Sequence, residues 1–162
     1  MKYQGAATRS PGRGKLRILV AVDGSKYSDA AIQQIMAQCR PLDSEIRVLH
    51  VIEPMPLFPN VQGFGYAPEF EVVREEQVKL GEDVVSRAAQ VLRDAGYKVT
   101  TAVEEGFPKV VILDHATQWR ADLIMLGSHG RKGLDHFLIG SVSEAVARHA
   151  PCSVQIARPA SH

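Results

Sequence analysis

"ADLIMLGSHGRKGLDHFLIGSVSEAVARHAPCSVQIARP", Ala121 to Pro159, carries two apolar runs on either side of a glycine loop and a helical segment. It opens on a continuous apolar run, ADLIMLGS, of the kind a strand buried on both faces shows. A loop follows, with glycines at Gly127, Gly130, Gly133 and Gly140. The chain then reads as a helix, GSVSEAVARHA, which Pro151 ends. A second apolar run, CSVQIARP, closes the stretch. Strand, helix and strand in that order predict parallel pairing through a right-handed crossover.

The same alternation extends upstream. KLRILVAVD, Lys15 to Asp23, is a β-branched strand that ends at an Asp-Gly pair. In SDAAIQQIMAQCR, Ser28 to Arg40, Ala31, Ile32, Ile35, Met36 and Cys39 recur at helical spacing. Ser28 is placed to cap that helix and Pro41 to stop it. SEIRVLHVIE, Ser44 to Glu53, is a second strand, and the Pro- and Gly-rich segment Pro54 to Pro68 is a loop. Glu69 to Gly96 reads as one long helix with Gly96 as its stop. YKVTTAVEEG is a third strand, and FPKVVILDHATQWR a helix with Pro108 in its first turn. The order β-α-β-α-β-α-β-α-β predicts an α/β fold with a parallel sheet covered by helices on both faces. In such sheets ligands sit beyond the carboxyl ends of the strands. Those ends are Asp23, His50 to Glu53, Glu105-Gly106 and Leu126-Gly127.

With 162 residues the chain is sized for one domain, here Lys15 to His162 behind a flexible arm of residues 1–14 rich in Gly, Pro, Ser and Arg. The net charge of +1 gives no global pull on nucleic acid or an acidic membrane. No apolar run approaches the roughly 18 residues of a membrane span, and the arm lacks the apolar core of a secretory signal. Cys39 and Cys152 form no C-x-x-C pair and read as reduced thiols of a cytoplasmic protein.

The glycine loop has two readings. A phosphate needs backbone N–H groups at close range, without a Cβ in the way, and a helix N-terminus supplies donors and partial positive charge. Gly127, Gly130 and the Gly140-Ser141 helix start meet that need, with Ser141 and Ser143 as hydroxyl donors. The alternative is a purely structural turn, since Ser141-Val142-Ser143-Glu144 also fits a capping box. Neither G-x-x-x-x-G-K-[ST] nor G-x-G-x-x-G in its strand–helix setting occurs.

AVDGS at Ala21, HVIE at His50, EEGFP at Glu104, the G-x-x-G-(nine residues)-G-S pattern from Gly127 to Ser141 and the ending VARHAPCSVQIAR together resemble the universal stress protein family. The likeness runs from about Lys15 to Arg158. It implies a three-layer, Rossmann-like α/β/α fold with a five-stranded parallel sheet in the order 3-2-1-4-5. The intact glycine pattern implies the ATP-binding members. On that likeness Asp23 sits near ribose and phosphates, Ala21 and Val22 line the pocket, and the Val51 backbone meets the adenine edge. Gly106 passes close to the ribose. Gly127, Gly130, Gly140, Ser141, Val142 and Ser143 hold the phosphates, His129 lies beside them, and Leu126 is a further nucleotide-binding residue. Mg²⁺ would arrive with the nucleotide, held by phosphates and Asp23. The family commonly dimerises through the edge strand, here Cys152 to Ala157, and an apolar edge is a physical reason to pair.

Other chemistry finds little support. The six histidines form no H-x-x-x-H or H-E-x-x-H. Adjacent Glu104 and Glu105 point to opposite faces of a strand and make no carboxylate pair. Arg131 and Lys132 either neutralise phosphate or form a solvated loop; Trp119 and Phe137 read as packing. Three function classes follow. The first is a nucleotide-dependent regulatory and stress-response module acting as a dimer. The second is a slow ATPase or a phosphoryl or adenylyl transferase, with His129 and Asp135 as the nearby candidates to position water. The third is a nucleotide-independent interaction module. The intact glycines and the lack of an evident general base favour the first. ATP, ADP and cyclic AMP all satisfy the pattern.

Overall fold

A computed structural model of the chain describes residues 14–54, 68–130 and 139–160. The expectations for the arm, for residues 55–67 of the Pro-rich loop, and for Arg131, Lys132, Asp135, His136 and Phe137 lie outside the described residues. The elements run β1 (Leu16–Ala21), α1 (Lys26–Gln38), β2 (Ser44–Ile52), α2 (Pro68–Asp94), β3 (Lys98–Glu105), α3 (Pro108–Trp119), β4 (Leu123–Gly127), α4 (Ser141–His149) and β5 (Ser153–Ala157). The five strands pair in parallel in the order β3-β2-β1-β4-β5, as the resemblance implied.

Alternation along β1 explains the layers. Ile18 and Val20 face one core with α1 and α2, where Ile32, Ile35, Val85, Ala89 and Leu92 are buried. Leu19 faces the opposite core with Leu49, Ile124, Ile112 and Ala116 of α3, and Val146 of α4. Both sides of β1 are out of water, which is why it reads as an unbroken apolar run. No helix among the described residues is long and apolar enough to cross a membrane.

The helix ends correct two expectations. α1 starts at Lys26, and its cap is Ser25, whose side chain accepts from the Ser28 N–H at 3.3 Å. Ser28 is a buried residue of the first turn, and its hydroxyl donates back to the Ser25 carbonyl at 2.9 Å. The capping box at Ser141 does not form: Gly140 holds the N-cap position of α4 and no side chain caps it. Gly96 does stop α2, with φ +89° and the Tyr97 N–H returning to the Leu92 carbonyl. Pro108 opens α3 behind Phe107, an N-cap residue whose side chain makes no cap bond. β5 starts at Ser153, one residue later than expected, and Cys152 precedes it. Trp119 packs in the α3/α4 core with the Arg47 guanidinium 4.7 Å from its ring centre.

Candidate functional site

β1 pairs with β2 on one side and β4 on the other, so the strand order reverses at its carboxyl end and leaves a crevice there. Hydrogen bonds fix this end before any ligand is considered. The Val22 N–H donates to the Leu49 carbonyl at 2.9 Å, and Nδ1 of buried His50 donates to the Val22 carbonyl at 2.7 Å. Gly81 of α2 makes room for that imidazole, since a Cβ there would stand 2.8 Å from His50 Cδ2. His50 is therefore a structural fastener. One residue on, Asp23 accepts the Ser25 N–H on Oδ1 at 3.0 Å, an Asx turn around Gly24 at φ +77° that launches α1.

The glycine loop closes on this turn. A Cβ at Gly130 would lie 3.2 Å from Asp23 Oδ2, so the loop backbone passes directly over the carboxylate. Gly140 donates its N–H to the Ser128 carbonyl at 2.7 Å. A Cβ at Gly140 would meet that oxygen at 3.2 Å and His129 Cα at 3.3 Å. Gly127 has another reason to lack a side chain. A Cβ there would stand 2.6 Å from both the carbonyl carbon and oxygen of Tyr27, so the first turn of α1 packs on bare backbone. The Tyr27 ring then lies 5.1 Å from the His129 ring, whose Nδ1 is 3.1 Å from Ser128 Oγ. The result is a concave strip of backbone from Gly127 to Gly130, backed by the uncapped first turn of α4, whose N–H groups carry partial positive charge.

Asp23, Gly127, His129, Gly130, Gly140 and Ser141 thus meet around one crevice. Ala21, Val51, Leu126 and Val142 lie together on the α3/α4 side of the sheet beneath it. Two predicted residues are spent elsewhere. The Val22 side chain packs into the opposite core, and both its backbone groups are taken. Ser143 is buried, and its hydroxyl donates to the Gly127 carbonyl at 2.8 Å, tying the start of α4 to the end of β4. Ser141 keeps the exposed hydroxyl. Gly106 closes β3 at φ +150°, and a Cβ there would meet Val111 Cγ2 at 2.7 Å, so its glycine is required by the turn into α3. Sequence reasoning missed Tyr27 and Ser128, which no spacing signal marks.

A cavity of about 210 Å³ lies between the first turns of α3 and α4, lined by Phe107, Pro108, Lys109, Ser141, Val142 and Ala145. A larger hollow of about 440 Å³ is walled by Leu80, Asp83, Val84, Ser86 and Arg87, all on α2, and gathers no backbone donors. The candidate site is the strand ends, where the glycine loop backbone meets the uncapped N-terminus of α4. Glu104 and Glu105 do point apart, the first to His115 of α3 at 3.5 Å and the second to Arg74 of α2 at 2.8 Å. Among the described residues no group of three His, Cys, Asp or Glu side chains could hold a metal by itself. Asp23 has the carboxylate to share one with a phosphate ligand.

The sequence profile of the universal stress protein family matches residues 16–158. A putative universal stress protein of Staphylococcus saprophyticus is 34% identical over 143 residues, covering 87% of this chain and 82% of its own. Among solved structures, a universal stress protein family member from Arabidopsis thaliana with AMP bound superposes with a TM-score of 0.65 at 19% identity, over 90% of this chain and 93% of its own. A universal stress protein in complex with cAMP gives 0.61 at 20% identity, over 89% and 97%.

Proposed function

The chain belongs to the universal stress protein family, and from that premise we propose that it is an adenine-nucleotide-binding regulatory module. The observation that carries the reading is the meeting of Asp23, Gly130 and Gly140 at the uncapped N-terminus of α4. A side chain at Gly140 would fill this cradle, and backbone donors with helix-end charge suit a phosphate chain. The solved relatives with AMP and with cAMP support an adenine ligand.

In this reading the phosphates lie along the backbone of Gly127, Gly130, Gly140, Ser141, Val142 and Ser143, with His129 beside them. Asp23 faces the ribose and the first phosphates and shares Mg²⁺ with them. Ala21, Leu126 and Val51 floor the adenine side, where the Val51 backbone offers both a donor and an acceptor. Mg·ATP is the ligand, bound as a signal with little turnover. The module spans Lys15 to His162 and acts in the cytoplasm, which the two free thiols suit. It pairs as a homodimer along β5, an edge strand with β4 on one side only and half-buried Val154 and Ile156.

Titration calorimetry of Mg·ATP against wild type and Gly140→Val tests the reading. Gly140 has φ −61°, a backbone any L-residue adopts, but its Cβ would meet the Ser128 carbonyl oxygen at 3.2 Å and His129 Cα at 3.3 Å, so a thermal melt of the variant accompanies the titration to show that it is folded. Affinity should fall at least tenfold; equal affinity in the two proteins would remove the cradle.

A further inference from the structure

Phe107 breaks two local preferences at once. It stands at the N-cap of α3 without capping it, where Ser, Thr, Asp or Asn would satisfy a helix N–H. The residue is also 65% exposed, so the core gains little from it. A position that overrides local preference with no packing return points to function.

Its surroundings say what kind. The ring lines the 210 Å³ cavity shared with Ser141 and Val142, the first residues of α4. Whole small-molecule pockets run to roughly 300–1,000 Å³, so this one has room for a single moiety. The Gly106 N–H donates to the Ile52 carbonyl at 2.9 Å, which pins Phe107 beside the carboxyl end of β2. Val51 lies there, on the same side of the sheet as Ala21 and Val142. The cavity therefore lies between the first turns of α3 and α4, on the side of the sheet where Ala21, Val51 and Val142 pack. Phe107 gives it a flat, mostly exposed aromatic wall, which suits a planar heterocycle better than an aliphatic chain.

We propose that Phe107 forms the base-side wall of the nucleotide site, with a purine stacked on its ring and the phosphates running toward Gly140. This inference rests on the nucleotide reading above. It adds a specificity element: stacking grows with the face of the base, so the ring favours ATP over CTP, two ligands with the same triphosphate.

The test titrates Mg·ATP and Mg·CTP into the full chain as wild type, Phe107→Asn and Phe107→Trp, with thermal denaturation of each. Asn can cap α3, so Phe107→Asn should melt at or above the wild-type temperature. It should bind ATP about tenfold more weakly, about 1.4 kcal/mol, with a smaller loss for CTP. Phe107→Trp should keep ATP affinity, and its indole emission should change on binding beyond what Trp119 gives in wild type. Wild-type affinity in Phe107→Asn, or equal losses for ATP and CTP, would overturn the inference and leave the nucleotide reading standing. Failure of wild type itself to bind ATP would overturn both.

Discussion

Gly127→Ala is the sharpest probe of how the cradle is built. The added methyl carbon would stand 2.6 Å from the Tyr27 carbonyl carbon and oxygen and 2.8 Å from its Cβ. Non-bonded carbons rest at about 3.5–4.0 Å, so the first turn of α1 would have to retreat by about 1 Å. Two of the three contacts are backbone, and no rotamer change relieves them. Overpacking of this kind costs about 1–3 kcal/mol. For a domain of this size 2 kcal/mol lowers Tm by roughly 4–8 °C. The retreat also carries Tyr27 away from His129, and ATP should bind more weakly. Gly130→Ala is the control. Its φ lies outside the left-handed region, and its methyl would meet one carboxylate oxygen of Asp23 at 3.2 Å, the end of a side chain that can turn. Its Tm should stay within about 2 °C of wild type, as surface changes below ~0.5 kcal/mol do. Differential scanning fluorimetry of the three proteins decides the matter. A Gly127→Ala protein that melts with wild type would refute the packing of α1 on β4 described here.

Two further outcomes follow from the β1–α1 turn. Asp23→Ala should weaken Mg·ATP more than adenosine, measured by calorimetry, if the carboxylate shares the metal at the phosphates; equal losses would place it at the ribose alone. Ser25→Ala removes the cap of α1 and should cost about 1 kcal/mol, a Tm drop of roughly 2–4 °C. An unchanged melting temperature would mean that Ser25 does not cap this helix.

The strand–helix alternation was legible because the central strands β1 and β4 are apolar on both faces and the helices repeat at their own period. The strand order was not legible from patterning, since parallel strands carry no mark of their neighbours; it came with the resemblance, and the sheet bears it out. What escaped the sequence depends on direction. GSKYS holds two serines, and the Asx turn at Asp23 selects Ser25 over Ser28 as the cap. Ser143 reads as a free hydroxyl until the Gly127 carbonyl is found 2.8 Å away. Val22 and Ala21 are neighbours in sequence but face opposite cores. Gly127 looks like a phosphate glycine, yet the Tyr27 backbone already demands it. The Tyr27–Gly127 contact joins residues 100 positions apart, which no local pattern encodes.

We propose that the crevice at the carboxyl ends of β1 and β4 holds an adenine nucleotide. The most direct test is to denature freshly purified protein and identify the released small molecules by chromatography and mass spectrometry. ATP near one per chain is the predicted result, while mainly ADP would point to turnover at the site. No nucleotide released, followed by no heat on titration with Mg·ATP, would contradict the claim and leave the glycines of GSHGRKGLDHFLIGS as the makings of a turn.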